Sequence, residues 1–443
     1  MTSGSHHHRI KGLHDRYGPV VRVAPDELSF IDGKAWHDIY SKGPGNKGLL
    51  RSEATSGTQP VHNVFDTHGE EHTRVHRKLM NSLSDNALAR QEPILQQYIT
   101  KMIDNLRRAS TAREPINIAE WLNWFSFDVI GELALSESFD QLDRTESHLW
   151  VTMITSHIRS TAIYICLTFY PTLDWIVRQL ASGALQRLLW EFVAPARDKI
   201  NRRLTRPDSK ELNDMIATCL PHANDGKEFV STESLIGTFA LLTIAGSETV
   251  ATTLTAVINH LTRDSVAMEQ LKKELRSVSD SRSLTLATLN QLPYLNAVIE
   301  EGLRLCHPVP ASLIRKTPPE GTTIAGYFVS GNTFVGIPPY AAYRSEANFK
   351  SASEFLPERW LGERDQDHDK NSIFQPFIVG GHNCLGHNLA RVELRLVLAH
   401  LVHQFDNEAV EKFRWEDQDS YLMWRRRPFM VRLKEAAEMQ GTF

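Results

Sequence analysis

Apolar positions recur at helical spacing along most of the chain. The stretch 73–83 reads as a basic helix, and 87–108 and 118–135 each carry an apolar stripe with a period near 3.6. Positions 150–206 keep that period, with a break near Pro171. One long apolar helix is expected over 231–262 and a shorter amphipathic one over 266–278. A further helix over 292–305 is ended by "HPVP", because proline cannot continue it. The last helix runs from 385 to about 404. Strand signals are fewer. "PVVRVAP" and "ELSFI" suggest a hairpin within 18–32, and 308–339 is rich in Pro, Gly, Thr and Val, which reads as short strands and turns. Residues 348–375 look like loop and contain "FLPERW"; the end, "YLMWRRRPFMVRL" within 420–434, looks like a second hairpin. The fold class is mainly α with a smaller β-rich part. No repeat or low-complexity linker divides 1–443, and the change of composition at 308–339 marks no clean boundary, so the chain is read as one domain.

Charge and cysteine usage narrow the function. The net charge is -4 and no long basic run occurs, so nucleic acid is not an expected partner. Arg425, Arg426 and Arg427 form a tight basic triplet that reads as a solvated surface feature. The 4 cysteines lie far apart with no CxxC pair, which argues against a zinc site or disulfide framework and favours a reducing compartment. Cys166, Cys219 and Cys306 read as core packing. No signal peptide is evident, and "SGSHHH" near the start resembles a tag remnant. The apolar stretch 235–258 is long enough to span a bilayer, but Ser247, Glu248 and Thr249 interrupt it. A carboxylate at mid-membrane is costly, so a buried helix with a functional polar notch is expected instead.

Cys384 stands in "FIVGGHNCLG", just before a predicted helix. Free backbone N–H groups and the positive end of the helix dipole favour thiolate over thiol there. Gly380, Gly381 and Gly386 remove side chains, so a large flat group can approach the backbone. Phe377 can pack beside the sulfur and exclude water. A thiolate held in this way suits an axial ligand of a haem iron. Phe377, Gly380, Cys384 and Gly386 resemble the haem-binding signature of the cytochrome P-450 family, with His382 where the family usually has arginine.

Three further segments carry the resemblance, in family order. "EEGLR" places Glu301 and Arg304 on one helix face, and "PERW" adds Arg359; the resemblance implies a buried structural group that helps to hold the cysteine loop. "AGSET" resembles the family's oxygen-binding motif. There Gly246 makes room for dioxygen, while Glu248 and Thr249 begin a proton relay from solvent, since oxygen activation needs delivered protons. "EHTRVHRK" places His72 and His76 where the family has its Trp-x-x-x-Arg helix, with Arg77 next to it. Histidine at the first position is familiar in the fungal branch. The resemblance implies His72, His76, His382 and Arg315 as partners of the haem propionates. Haem retention is then expected to weaken at alkaline pH, where imidazoles are neutral.

The resemblance implies a cytochrome P-450 fold with a long central helix over haem b, and a monooxygenase using O2. The chain shows no dinucleotide or flavin site, so electrons are expected from an NADPH-cytochrome P-450 reductase. "YGPVVRVAPDELSF" and "FLPERWLG" look like fungal members of secondary metabolism, with a lipophilic small-molecule substrate that is hydroxylated, ring-closed or coupled. By family position Phe239, Leu242, Ala245, Val309, Ala311 and Leu313 line its pocket, with the turn 422–424 as a further candidate. The expected location is the endoplasmic reticulum membrane, held there by an anchor not seen in this chain, or the cytoplasm. The alternatives are a reductase-independent haem-thiolate isomerase or peroxygenase, and a haem-based sensor; an intact Glu248–Thr249 pair argues against the first.

Overall fold

The structure, a computed structural model, describes residues 3–41, 48–51, 63, 69–208, 212, 214–219, 231–278, 280–362 and 371–436; the side chains of 69–75 and of several positions in 155–192 lie outside that description. The longer helices are α1 (His6–Tyr17), α2 (Lys34–Tyr40), α3 (Gly69–Ser82), α4 (Asp85–Ser110), α5 (Ile118–Leu135), α6 (Leu149–Thr168), α7 (Pro171–Thr205), α8 (Thr232–Arg263), α9 (Ser265–Arg276), α10 (Pro293–Leu305) and α11 (His387–Gln404). Local chemistry sets their ends. Pro171 and Pro293 open α7 and α10 at the first turn, where no N–H is missed. The Ser231 hydroxyl caps α8, and the Asp264 carboxylate accepts the Val266 and Ala267 amides to cap α9. Helices α5 and α8 are apolar almost all round, and such helices pack in the interior. They lie against each other, with Leu122, Phe125, Val129, Leu254 and Val257 in the main core. Helix α8 is long and apolar enough to cross a membrane, but 72% of its apolar window is buried inside the protein.

The strands are β1 (Val20–Ala24), β2 (Glu27–Phe30), β3 (Leu50–Arg51), β4 (Ile116–Asn117), β5 (Arg315–Lys316), β6 (Thr322–Ile324), β7 (Tyr327–Val329), β8 (Phe334–Gly336), β9 (Phe405–Ala409) and β10 (Met430–Glu435). The hairpin expected within 18–32 is β1–β2, with Val20 opposite Phe30. It joins a five-stranded sheet in the order β1-β2-β8-β5-β3. A second core seats Trp36, Ile39 and Tyr40 of α2 beside Val335, Tyr343 and Phe349.

Two expectations are corrected. The C-terminal segment is not a hairpin: β10 pairs antiparallel with β9 and with β4, while Ser420 and Trp424 close a small turn of their own. Pro428 has no N–H to give to a ladder, so the segment before β10 stays irregular. The second correction concerns "SGSHHH", which is built into the fold. His7 is buried in α1, its Nδ1 lies 2.7 Å from the Ser420 hydroxyl, and its ring meets Tyr340 and Trp424 edge-on. Burial lowers the His7 pKa to about 4, so the docked ring is neutral.

Candidate active site

The cysteine loop is held in shape by its backbone. Gly380 has φ +86°, and a Cβ there would run into the Tyr40 carbonyl oxygen. Ile378 also has a positive φ of 61°, a costly conformation for a β-branched residue. The Cys384 amide donates to the Phe377 carbonyl at 2.9 Å, which closes the loop. The Phe377 ring lies between His387 and the Arg391 guanidinium, whose centre is 5.2 Å from the ring centroid. Helix α11 begins only at His387, with Gly386 as its cap, so Cys384 stands ahead of the first turn. In the chain alone burial pushes the Cys384 thiol up, and the Gly386 N–H opposes this. This corrects the sequence argument: the helix end by itself does not secure a thiolate, and a bound cation must supply the rest.

The neighbouring cations come from several elements. Arg315 of β5 is buried; its guanidinium sits 5.0 Å over the Tyr40 ring and donates to the Ile314 carbonyl at 3.1 Å. Its Nε has no partner, and no carboxylate pairs with it among the described residues. Arg51 of β3 stands opposite Arg315 in the strand register. His76 of α3 hydrogen-bonds to the backbone of Asn383, beside Cys384. Burial, then the Arg51 charge, lowers its pKa, so the expectation of a charge lost at alkaline pH does not apply to His76. Arg77 faces solvent, His382 is half-buried in the loop, and the His72 side chain lies outside the described residues.

The opposite wall belongs to α8. Ala245 is exposed, and Gly246 and Thr249 are half-exposed, in the middle of an otherwise buried helix. The Thr249 hydroxyl donates to the Ala245 carbonyl at 2.7 Å. A Cβ at Gly246 would meet Ile130 Cδ1 at 3.0 Å, so close packing of α5 on α8 gives this glycine a structural reason of its own. Glu248 does not open to solvent. It is 2% exposed, and Arg426 Nη2 donates to its Oε2 at 2.7 Å. The same nitrogen donates to Asn123 Oδ1 of α5 at 2.8 Å. The Arg426 side chain is thus only 10% exposed, which corrects the reading of a solvated triplet for this one member; Arg425 and Arg427 are exposed as expected.

The expected pocket residues divide. Val309, Ala311 and Leu313 line a small apolar cavity with Trp36, Tyr40 and Ile378. Leu313 is exposed, and Leu242 is buried in the main core. Phe239 is fully buried in the main core and lines no opening, because its position on α8 faces inward. The turn 422–424 is fastened by Trp424 Nε1, which donates to the His307 carbonyl at 2.9 Å.

Glu301 and Arg304 are both fully buried in α10. Glu301 accepts from Arg304, from Arg359 Nε at 3.2 Å, from Trp360 Nε1 at 3.0 Å and from the Leu356 amide at 2.8 Å. Burial opposes ionisation, but the Arg304 and Arg359 charges prevail and hold its carboxyl below the usual range. The group ties α10 to the "FLPERW" segment and reaches no reacting atoms.

Sequence reasoning missed Arg51 and Arg426. Neither position carries a local signal, since each becomes relevant only through a strand partner or an ion pair distant in sequence.

A flat anionic macrocycle that binds iron fits this arrangement. Arg315 is a buried cation lacking a counter-charge among the described residues, which is costly unless an anion meets it. A Cβ at Gly386 would meet nothing within 4 Å, so open room lies beside the cysteine loop. Comparison with known proteins agrees. The family model described as Cytochrome P450 matches residues 2–433. The chain is similar to Cytochrome P450 monooxygenase astA of Talaromyces wortmannii, 33% identical over 98% of this chain and 90% of the relative. It is also similar to cpaH of Aspergillus oryzae, 36% identical over 97% and 84%, and to FUM2 of Gibberella moniliformis, 33% identical over 98% and 94%. With a lone thiol ahead of α11, an open notch in α8 and relatives named as monooxygenases, the chain belongs to the cytochrome P450 family of haem-thiolate, oxygen-incorporating oxidoreductases.

Proposed function

We propose that this enzyme oxidises a lipophilic small molecule of fungal secondary metabolism, with electrons from an NADPH-dependent flavoprotein reductase. The observation that carries this reading is the notch at Ala245, Gly246 and Thr249, an accessible opening in the middle of a helix whose central part is otherwise largely buried. Cys384 would be the iron ligand, and Arg315 with His76 would meet the carboxylates of the haem. When bound, haem with a thiolate ligand supplies activation of dioxygen.

The chain's own residues supply the rest. Phe377, packed between His387 and Arg391, shields the sulfur from water. The Gly380 turn holds the loop close against α2 through the approach to Tyr40. Val309 and Leu313 offer apolar surface to a substrate, and an apolar wall favours ligands that shed water on entry. Thr249 presents a hydroxyl at the edge of the notch, and Glu248 is the nearest carboxylate along the helix. Together they would hand protons inward from solvent, a general acid–base role.

The test is turnover in oxygen-18 gas with NADPH and a flavoprotein reductase. Lipophilic compounds are first screened for a shift of the iron spin state. One labelled oxygen in the product, and no product without reductase, is expected for hydroxylation. For ring closure or coupling, strict dependence on NADPH and O2 is expected. Product formed without any reductant would overturn the reading in favour of an isomerase.

A further inference from the structure

We propose that His307 is a positioning residue that couples the apolar cavity wall at Val309 to the cysteine loop: its ring joins the Val309 backbone to the Pro376 carbonyl, so that what presses on the wall is felt at the iron ligand. The proposal rests on the reading of Cys384 as that ligand and of Val309 as surface offered to substrate.

His307 follows the end of α10 and opens the segment "HPVP". Pro308 and Pro310 fix φ on either side of Val309, so this stretch is stiff and passes a push along its length. The His307 side chain is buried and lines the cavity together with Val309, Gln375 and Ile378. Its Nε2 lies 3.0 Å from the Pro376 carbonyl oxygen. Its Nδ1 lies 3.2 Å from the Val309 amide nitrogen and 2.7 Å from the Val309 carbonyl oxygen. The His307 carbonyl takes Trp424 Nε1 at 2.9 Å, so the turn 422–424 is tied to the same residue. The far partner matters because of where it stands. Pro376 directly precedes Phe377, whose carbonyl takes the Cys384 amide, and Ile378 beyond it holds left-handed backbone. A residue so strained keeps its conformation only where its surroundings fix it. Three bonds do so here: His307 to the Pro376 carbonyl, the Gln375 amide to the Tyr343 hydroxyl at 3.1 Å, and the Ile378 amide to the Gln375 carbonyl at 3.0 Å. The first is the one that leads to Val309.

A single ring proton sets the strength of the link. Burial lowers the His307 pKa, so the ring is neutral and carries one N–H. Two carbonyls face it, and a neutral imidazole can donate to only one of them. With the proton on Nε2, the ring donates to Pro376 and accepts the Val309 amide, and the two bonds strengthen each other. With the proton on Nδ1, the ring serves the Val309 carbonyl and turns a lone pair towards Pro376. The group that Val309 presents to Nδ1 therefore decides whether the loop is held. A small rotation of the Val309 backbone exchanges amide for carbonyl, and pressure on the Val309 side chain would supply it.

The test uses the haem-loaded full chain and two readouts. The first is hydrogen exchange over 376–386. The second is the rate at which the reduced carbon monoxide complex, in mild urea, passes from its long-wavelength to its short-wavelength Soret band, which reports release of the thiolate. Two substitutions separate the ring nitrogens. His307→Gln can place an N–H donor near Nε2, and the shorter His307→Asn reaches only as far as Nδ1. His307→Asn is expected to raise exchange and to quicken conversion on the order of tenfold, as for one lost buried hydrogen bond, while His307→Gln stays within about twofold of wild type. A double-mutant cycle then reads the coupling itself, which a merely structural histidine would not give. Val309→Ala is expected to change the conversion rate about threefold or more with His307 present and hardly at all in His307→Asn. Asn and Gln variants alike in both readouts would overturn the proposal, and so would a Val309→Ala effect of equal size in both backgrounds. If His307→Asn does not fold, His307→Phe, which fills the space without either bond, takes its place with the same expectations. The cycle needs no substrate, so failure to find one leaves its result standing. A wild type lacking the long-wavelength band would defeat the reading of Cys384 instead, and the exchange comparison would still decide the link to Pro376.

Discussion

Arg304→Lys isolates what the buried ion group contributes. All five N–H donors of Arg304 are used: Nε and Nη2 on Glu301 at 2.8 and 2.7 Å, Nη1 on the carbonyls of Tyr343 and Ala352 at 2.7 Å each, and Nη2 on the Glu354 carbonyl at 2.9 Å. Lysine retains the charge but offers three donors from one atom, so at least two buried acceptors lose their partners. Each unmet buried acceptor costs about 1–3 kcal/mol, giving about 2–6 kcal/mol for the substitution. Arg304→Met goes further, because it removes the nearer of the two cations and two hydrogen bonds from buried Glu301 and takes the Arg304 donor from three carbonyls at once. That loss approaches the whole stability of about 5–15 kcal/mol, and no folded protein is expected. The control is Lys101→Ala, which breaks a single-point pair of similar length, 2.8 Å, whose partners are 31% and 53% exposed. It should cost about 0–1 kcal/mol. Urea unfolding followed by tryptophan fluorescence, with haem content measured on each preparation, gives the comparison. An Arg304→Lys protein within about 1 kcal/mol of wild type, and no weaker than Lys101→Ala, would refute the assignment of this group as a buried, fully used hydrogen-bond centre.

Other substitutions test the loop, the cofactor cradle and the N-terminal helix. Gly380→Ala places a Cβ on the Tyr40 carbonyl in left-handed backbone, so the purified protein is expected to carry little haem; full haem content would contradict this. Arg315→Gln removes the buried cation with no described counter-charge, and haem transfer to an acceptor such as apomyoglobin is expected to quicken by tenfold or more, on the order of the loss from removing one charged hydrogen bond. An unchanged transfer rate would count against the cradle. His7 has a folded pKa of about 4, below the unfolded value of about 6.5, so its contribution is present above pH 6.5 and is lost as pH falls towards 4. Hydrogen exchange in His6–Tyr17 should therefore rise between pH 6.5 and 5, and His7→Gln should reduce that dependence, leaving the part due to His6 and His14, whose pKa values burial also lowers.

Much of the helical frame was legible because its signals are local. The limits of α5 and the break between α6 and α7 at Pro171 follow from apolar period and proline chemistry, which act within a few residues. The segments carrying Cys384, Glu248 and Glu301 were legible for a similar reason, as each is a short spacing. What escaped was pairing over distance. The segment 420–434 has strand composition, yet β10 finds its partners at 405–409 and 116–117 and not in its own neighbourhood. Arg426 looks like any surface arginine until the chain brings it to Glu248, 178 residues away in sequence. Arg51 matters only through its register with Arg315. Phe239 shows the converse: helical spacing put it on an apolar stripe without telling core from cavity, and the structure places it in the core.

The central claim is that Cys384 holds a haem iron as thiolate. The most direct measurement is the absorption spectrum of the dithionite-reduced protein under carbon monoxide, for wild type and Cys384→Ser. The account expects a long-wavelength Soret band in wild type that is absent from the variant. A short-wavelength band in intact, folded wild type would contradict it, because the iron would then be held by imidazole or by protonated thiol.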